Sequence, residues 1–484
     1  MIDHRKRPLY DALVAYSKST VTPFDVPGHK MGKGIHPDFI NYVGENIFKM
    51  DINSLQEMDN LSNPEGVIKE AEELAADLFD SDHAFFLVNG STSGVQNMIL
   101  SAMNPGEKII IPRNIHKSAI NGLVLSGAVP IYIYPEICTE VGISVGTSVH
   151  ETLQAIDENK DAKALLILNP TYYGFSTDLK TIIDYAHQHN IIVLVDESHG
   201  THFYLDAAFP DSSMTIGADM ATLSIHKTGG SLTQSSILLH NKGRIPVSRV
   251  RSVINISQTS SASYLLMASL DIARHHLATN RNLIQNVISL SNFAKNEINK
   301  LSNLRVVDGS NVWVEDEYTH DSSKLLVDVS RLGKTGFEIY EILKKDYNIQ
   351  LEFGEALVVL GIISVGDTQE SISTLIKAFQ DLSKRFENAN RIGIPENTKQ
   401  KPAIKKTPRE AFFAETEYID IITSEGRISG DQIMIYPPGI PLLVPGEVIS
   451  NEVITEYLKY IEFGKKVVGS YQNGTVQIKV TKEI

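Results

Sequence analysis

Short apolar runs recur through the middle of the chain, each followed by a polar cluster or a helical stretch. Ala84–Val88 precedes Asn89-Gly90-Ser91-Thr92-Ser93-Gly94, and Lys108–Ile111 precedes Pro112-Arg113-Asn114-Ile115-His116-Lys117-Ser118. Val129–Tyr134 is a third run. Ala164–Leu168 leads to Asn169-Pro170-Thr171-Tyr172-Tyr173-Gly174, Ile191–Val195 to Asp196-Glu197-Ser198-His199-Gly200, and Ala221–Ile225 to His226-Lys227. Fully apolar runs of strand length alternating with helices predict an α/β fold, a mostly parallel sheet with helices on both faces. Ligands of such sheets bind beyond the carboxyl ends of the strands. The polar clusters all fall there, so Ser91, Thr92, Ser93, His116, Asp196, His199, His226 and Lys227 are expected to converge on one site.

A chain of 484 residues is too long for one ordinary core. Residues 1–50 read as an arm with a helical pattern from Pro8 and a loop at Val26–Gly34. That loop holds Gly and Lys but lacks phosphate-loop spacing. Residues 51–302 form the large domain. It opens with a helix at Pro64–Asp80. It later holds a helical stretch over 246–286, broken by the polar patch Gln258–Ser263, and more helix over 287–302. Residues 303–390 read as a smaller α+β domain, with strands at Lys324–Val329, Ile349–Phe353 and Leu357–Ser364 and helices at Gly336–Lys345 and Thr368–Asn388. Residues 391–484 are a linker and a C-terminal segment whose prolines, Pro437, Pro438, Pro441 and Pro445, impose an extended path.

A net charge of -14 argues against nucleic acid and anionic membranes as partners. Cys138 is the only cysteine, so no intrachain disulfide can form. Without an apolar signal core or an apolar run long enough to span a bilayer, the expectation is a cytoplasmic protein.

Lys227 follows a buried strand, stands beside His226 and precedes Thr228-Gly229-Gly230. A strand-end lysine commonly faces water. A lysine held at a strand end can instead serve Schiff-base chemistry with a carbonyl cofactor. If that cofactor carries a phosphate, the hydroxyls and backbone N–H groups of Gly90–Gly94 at a helix start suit it, and Ser224 can add a donor. Read alone, the same residues make an ordinary helix cap. Asp196 ends an apolar strand, where a carboxylate calls for a cation such as a protonated pyridine nitrogen. His116 could stack on the ring and carry protons. Asp196, His199 and His202 could suggest a metal, but no fourth ligand follows at a usual spacing, so no metal is expected.

Several motifs together resemble the Orn/Lys/Arg decarboxylase family of fold-type-I pyridoxal-phosphate enzymes. They are Pro27-Gly28-His29-Lys30, Pro112–Ser118, Asp196–Gly200, Ser224-Ile225-His226-Lys227, the Thr259–Tyr264 patch and Tyr436-Pro437-Pro438-Gly439. The resemblance implies a transferase-like large domain of fold type I. It implies that Lys227 binds pyridoxal 5'-phosphate covalently, that Asp196 holds the pyridine nitrogen and that His116 stacks on the ring. It places Ser91, Thr92, Ser93, Ser224 and His226 around the phosphate. Ser260 would reach the phosphate of a partner subunit, in a homodimer with shared sites. His199 stands where larger members carry tryptophan. The resemblance is to shorter members without an N-terminal wing, for which no decamer is expected. The implied reaction is α-decarboxylation of a basic amino acid, arginine to agmatine first, with lysine or ornithine as alternatives. Glu352 and Glu355 are candidates for the distal cation. Rival readings are an aminotransferase or aldolase on the same cofactor, with Arg409 or Arg427 gripping the α-carboxylate, and a non-catalytic cofactor-binding protein.

Overall fold

The apolar runs become strands: β1 (His83–Leu87), β2 (Lys108–Pro112), β3 (Val129–Ile133), β4 (Ala164–Leu168), β5 (Ile192–Asp196) and β6 (Met220–Leu223). A further strand, β7 (Ser236–His240), was not expected. The computed structural model describes residues 2–312, 318–393, 401–436, 440–462, 466–468 and 477–482. Pro437, Pro438 and Gly439 of the Tyr436 motif lie outside the described residues. The chain divides into two compact units, one of residues 1–101 and 194–286, the other of residues 102–193 and 287–484.

In the first unit β6 pairs in parallel with β5, with Asp196 opposite Thr222. β7 then runs antiparallel to both β6 and β1. Every residue of β5, β6 and β7 is buried, so none of the three shows the alternation of a strand with one face in water. Helices of this unit include α1 (Pro8–Ser17), α2 (Val67–Leu78), α3 (Gly90–Ala102), the single turn α4 (Ile225–Thr228), α5 (Val247–Ser257) and α6 (Tyr264–Thr279). α2 is shorter than the expected Pro64–Asp80. The Asp59 carboxylate accepts the N–H groups of Gly66, Ile68 and Lys69 and so fixes where the helix starts. The patch between α5 and α6 breaks the helix as expected, and Ser263 caps α6.

The arm is held by a fully buried ion pair, Asp271–Arg274 on α6. Asp271 accepts the N–H groups of Leu9 and Tyr10 at 3.0 and 3.1 Å, which caps α1 from outside. Arg274 donates to the carbonyls of His4 and Lys6 at 3.1 and 2.8 Å. Paired with each other and bonded to four backbone groups, two buried charges are tolerable.

α3 packs closely against β6 because Gly94 has no side chain. A Cβ built there would lie 2.1 Å from Thr222 Oγ1 and 2.9 Å from Thr222 Cβ. Gly94→Ala is therefore expected to destabilise the protein by about 1–3 kcal/mol, as overpacking does. A urea midpoint unchanged from the parent would contradict this close approach.

In the second unit β2 pairs in parallel with β3 and with β4. A hairpin at Glu136–Cys138 and Ile143–Gly146, absent from the expected elements, follows β3. The smaller α+β portion has four antiparallel strands in the order Arg305–Val306, Lys324–Asp328, Val358–Ile362 and Phe353–Gly354. Helices Gly336–Tyr347 and Gln369–Arg385 accompany them. The expected strand Ile349–Phe353 is reduced to Phe353–Gly354. Asn348 ends the preceding helix in a left-handed conformation, and the Ile349 N–H returns to the Leu343 carbonyl. The C-terminal portion builds its own core from Ile421, Ile433, Leu443, Tyr457 and Val480. Among the described residues no helix is long and apolar enough to cross a membrane.

Candidate active site

Asp196 closes the buried strand β5 and is only 6% exposed. Its carboxylate accepts from the Ser198 N–H at 3.2 Å and the Ser198 hydroxyl at 2.5 Å. Among the described residues no cation is paired with it. A buried carboxylate left so is costly. The residue after it is an anchor that the sequence did not reveal. Glu197, fully buried, accepts from the Ser213 N–H and hydroxyl at 2.9 and 2.7 Å and from the Tyr204 hydroxyl. Burial, with the Glu197 charge beside it, pushes the Tyr204 phenol well above its usual range. These bonds fix the direction in which the loop carries Asp196 and His199.

β6 ends at the same side as β5, since the two are parallel neighbours. It leads to Ser224, fully buried at the N-cap of α4. His226 and Lys227 therefore sit on a turn of helix, not on the strand end the sequence suggested. The Lys227 amine lies 3.0 Å from His199 Nε2. The His226 ring meets the Ser235 carbonyl through Nδ1 at 2.9 Å, and burial lowers its pKa. With Nδ1–H donated to that carbonyl, an anion near Nε2 would draw the second proton onto the ring.

The Ser224 hydroxyl donates to the Ser91 hydroxyl at 2.7 Å, which joins the starts of α4 and α3. The first turn of α3 offers N–H groups without intrahelical partners. Gly90 opens it with a φ of +73°, a conformation suited to glycine. Ser93 donates its hydroxyl to the Gly90 carbonyl at 2.8 Å, and Thr92 is exposed. Ser260 is exposed in the patch between α5 and α6.

His116 belongs to the second unit. It caps the helix Lys117–Ser126, its Nδ1 accepting the Ser118 N–H at 3.2 Å. The loop that bears it is fastened by Arg113, which donates two bonds of 2.8 Å to Glu447 and one of 2.7 Å to the Pro441 carbonyl. Glu447 is fully buried and also accepts the Val444 N–H at 2.9 Å. No spacing in the sequence links positions 113 and 447. Glu352 accepts from the Tyr172 hydroxyl. Arg409 is spent on the carbonyls of Val124 and Leu125, and Arg427 on Glu417 and the Thr481 carbonyl. Among the described residues no group of three His, Cys, Asp or Glu side chains could hold a metal.

A buried acid, an amine one strand away and paired hydroxyls at a helix start are thus gathered beyond the carboxyl ends of neighbouring strands, where ligands of such sheets bind. Family profiles make this specific: that of the Orn/Lys/Arg decarboxylase major domain matches residues 7–371, and that of the C-terminal domain residues 394–474. The chain belongs to the Orn/Lys/Arg decarboxylase family. Four relatives of 39–42% identity bear the name arginine decarboxylase. That of Bacillus anthracis is 41% identical, covering 98% of this chain and 97% of its own. The fold is that of the solved Francisella novicida lysine decarboxylase LdcF, with a TM-score of 0.85 and 22% identity over 98% of this chain and 81% of that one. A more distant likeness, with a TM-score of 0.52 and 16% identity over 66% of this chain and 77% of the other, is to a structure described as SPT with PLP.

Proposed function

We propose that this chain is a pyridoxal-phosphate-dependent decarboxylase that converts L-arginine to agmatine and CO2. The observation that carries the reading is the buried Asp196 carboxylate, with no cation paired to it among the described residues, on the strand beside the one that leads to Lys227. The residues fit the cofactor. Asp196 would hold a protonated ring nitrogen, and Lys227 would attach the aldehyde carbon. Ser91, Ser224, His226 and the first turn of α3, with Thr92 and Ser93, would receive the phosphate. When bound, the cofactor supplies a carbonyl for the substrate amine and an electron sink for the charge left by CO2.

The chain's own contribution is electrostatic and positional. Asp196 keeps the ring nitrogen protonated, because losing that proton would restore an unpaired buried charge. Glu197 keeps Asp196 from turning away. His116, its ring orientation set by Ser118, would cover the ring face and exclude water. Glu352 and Glu355 are candidates for the guanidinium, though Glu352 already holds Tyr172. Ser260, exposed in this chain, would serve the site of a second copy in a homodimer. The protein would work in the cytoplasm, with residues 1–50 as arm, 51–302 and 303–390 as large and small domains and 391–484 as the final segment. The names of the relatives at 39–42% identity favour arginine over lysine. Against an aminotransferase, Arg409 and Arg427 are committed to carbonyls and to Glu417.

The test is to supply pyridoxal phosphate and then arginine, lysine or ornithine separately, and to identify the product. Agmatine and CO2 from arginine, at a kcat/KM at least about tenfold above the other two, are expected, a ratio within reach of one well-placed polar contact. A keto acid in place of an amine, or no amine from any of the three, would refute the assignment.

A further inference from the structure

His199 is buried and held on a loop that cannot easily shift, since Glu197 two residues earlier is tied to Ser213 and Tyr204. Its Nε2 lies 3.0 Å from the Lys227 amine. Two basic nitrogens so close repel when both are charged, so a proton held by one disfavours a further proton on the other. The titratable groups on the elements that carry the pair are Asp196 and Glu197 beside His199, His202 on the turn that follows, and His226 beside Lys227. Asp196 is bonded to Ser198, Glu197 to Ser213 and Tyr204, and His226 to the Ser235 carbonyl.

We propose that His199 is the proton reservoir of Lys227. In the exchange an Nζ–H bond of the lysine ammonium breaks and an Nε2–H bond of the imidazole forms. The positive charge passes from amine to ring, with no change in the total. A free amine is then available to attach the cofactor, and the same proton can return through Lys227 to the carbon that loses CO2. Imidazole is suited to both directions because its intrinsic pKa lies near neutrality. This rests on the reading of Lys227 as the cofactor-binding lysine.

Two variants separate proton carriage from hydrogen bonding. His199→Gln offers the amine an acceptor but cannot carry a proton, and His199→Phe does neither. With the cofactor bound, the visible absorbance is followed against pH, and single-turnover decarboxylation is timed. Both variants should lose about 10²-fold or more in the chemical step, the usual contribution of a positioned acid–base group. In His199→Phe the absorbance midpoint should also move to lower pH by about one unit, because the protonated nitrogen loses its acceptor. In His199→Gln it should stay near the parent value. Single-turnover rates for His199→Gln within twofold of the parent would overturn the proposal, as would an unmoved midpoint in His199→Phe. A parent protein with no visible absorbance would overturn the reading of Lys227 itself, a distinct result.

Discussion

Replacing Lys227 with Ala should abolish turnover, with kcat falling by on the order of 10⁴–10⁶, the range seen when a covalent nucleophile is removed. The visible absorbance of the bound cofactor should vanish with it. Stability should change little. The side chain lies on a one-turn helix, is part-exposed, and fills no core, so the loss should stay within about 1 kcal/mol. That contrast makes the measurement decisive: a folded protein with the parent's melting temperature, no colour and no amine product is the expected outcome. Added small primary amines should restore part of the activity, since the missing group is an amine and its space remains. Retained colour and retained turnover would remove Lys227 from the chemistry and with it the whole reading of the site.

The second large effect should be on stability. Arg113→Ala should lower the free energy of unfolding by about 3–5 kcal/mol, the cost of breaking a buried pair. Native stability is only about 5–15 kcal/mol, so this is a large share of it. The guanidinium fork meets Glu447 twice and the carbonyls of Pro441 and Leu442. Without it Glu447 keeps, among the described residues, the Val444 N–H and becomes a buried charge with no cation among them. Arg113→Lys retains the charge but not the planar fork, and should fall between parent and Ala. Combining Arg113→Met with Glu447→Leu should cost less than the sum of the two single changes, because neither charge is then stranded. Urea midpoints of the four proteins test this. Strict additivity would mean that the pair is not coupled.

The parts of the site legible in the sequence are those written into single loops. A buried strand must read as an apolar run, and the first polar residue after it marks the carboxyl end. The expectation for Ser91, Asp196 and Lys227 came from such strand-end clusters, and the structure places them at or just beyond the ends of β1, β5 and β6. β7 escaped because its run, Ser236–His240, carries no unusual residue after it and pairs antiparallel inside a pattern that suggested parallel strands. Glu197 was visible only as a neighbour of Asp196. Its role depends on Ser213 and Tyr204, which no local pattern connects to it. The Arg113–Glu447 pair joins residues hundreds of positions apart, and the hydrogen bond between His199 and Lys227 depends on two strand ends meeting. Such contacts belong to tertiary packing, on which one-dimensional periodicity is silent. The short Phe353–Gly354 strand shows the converse: a β-branched and apolar stretch was diverted to close the end of a helix.

The ion pair that fastens the arm has a consequence for trimming the protein. Asp271 and Arg274 are solvated, in effect, by four backbone groups from the first ten residues. A shortened form lacking those residues would not merely lose a peripheral helix. It would leave two ions in a dry interior without the dipoles that compensate them, so the leading peptide serves as their insulation.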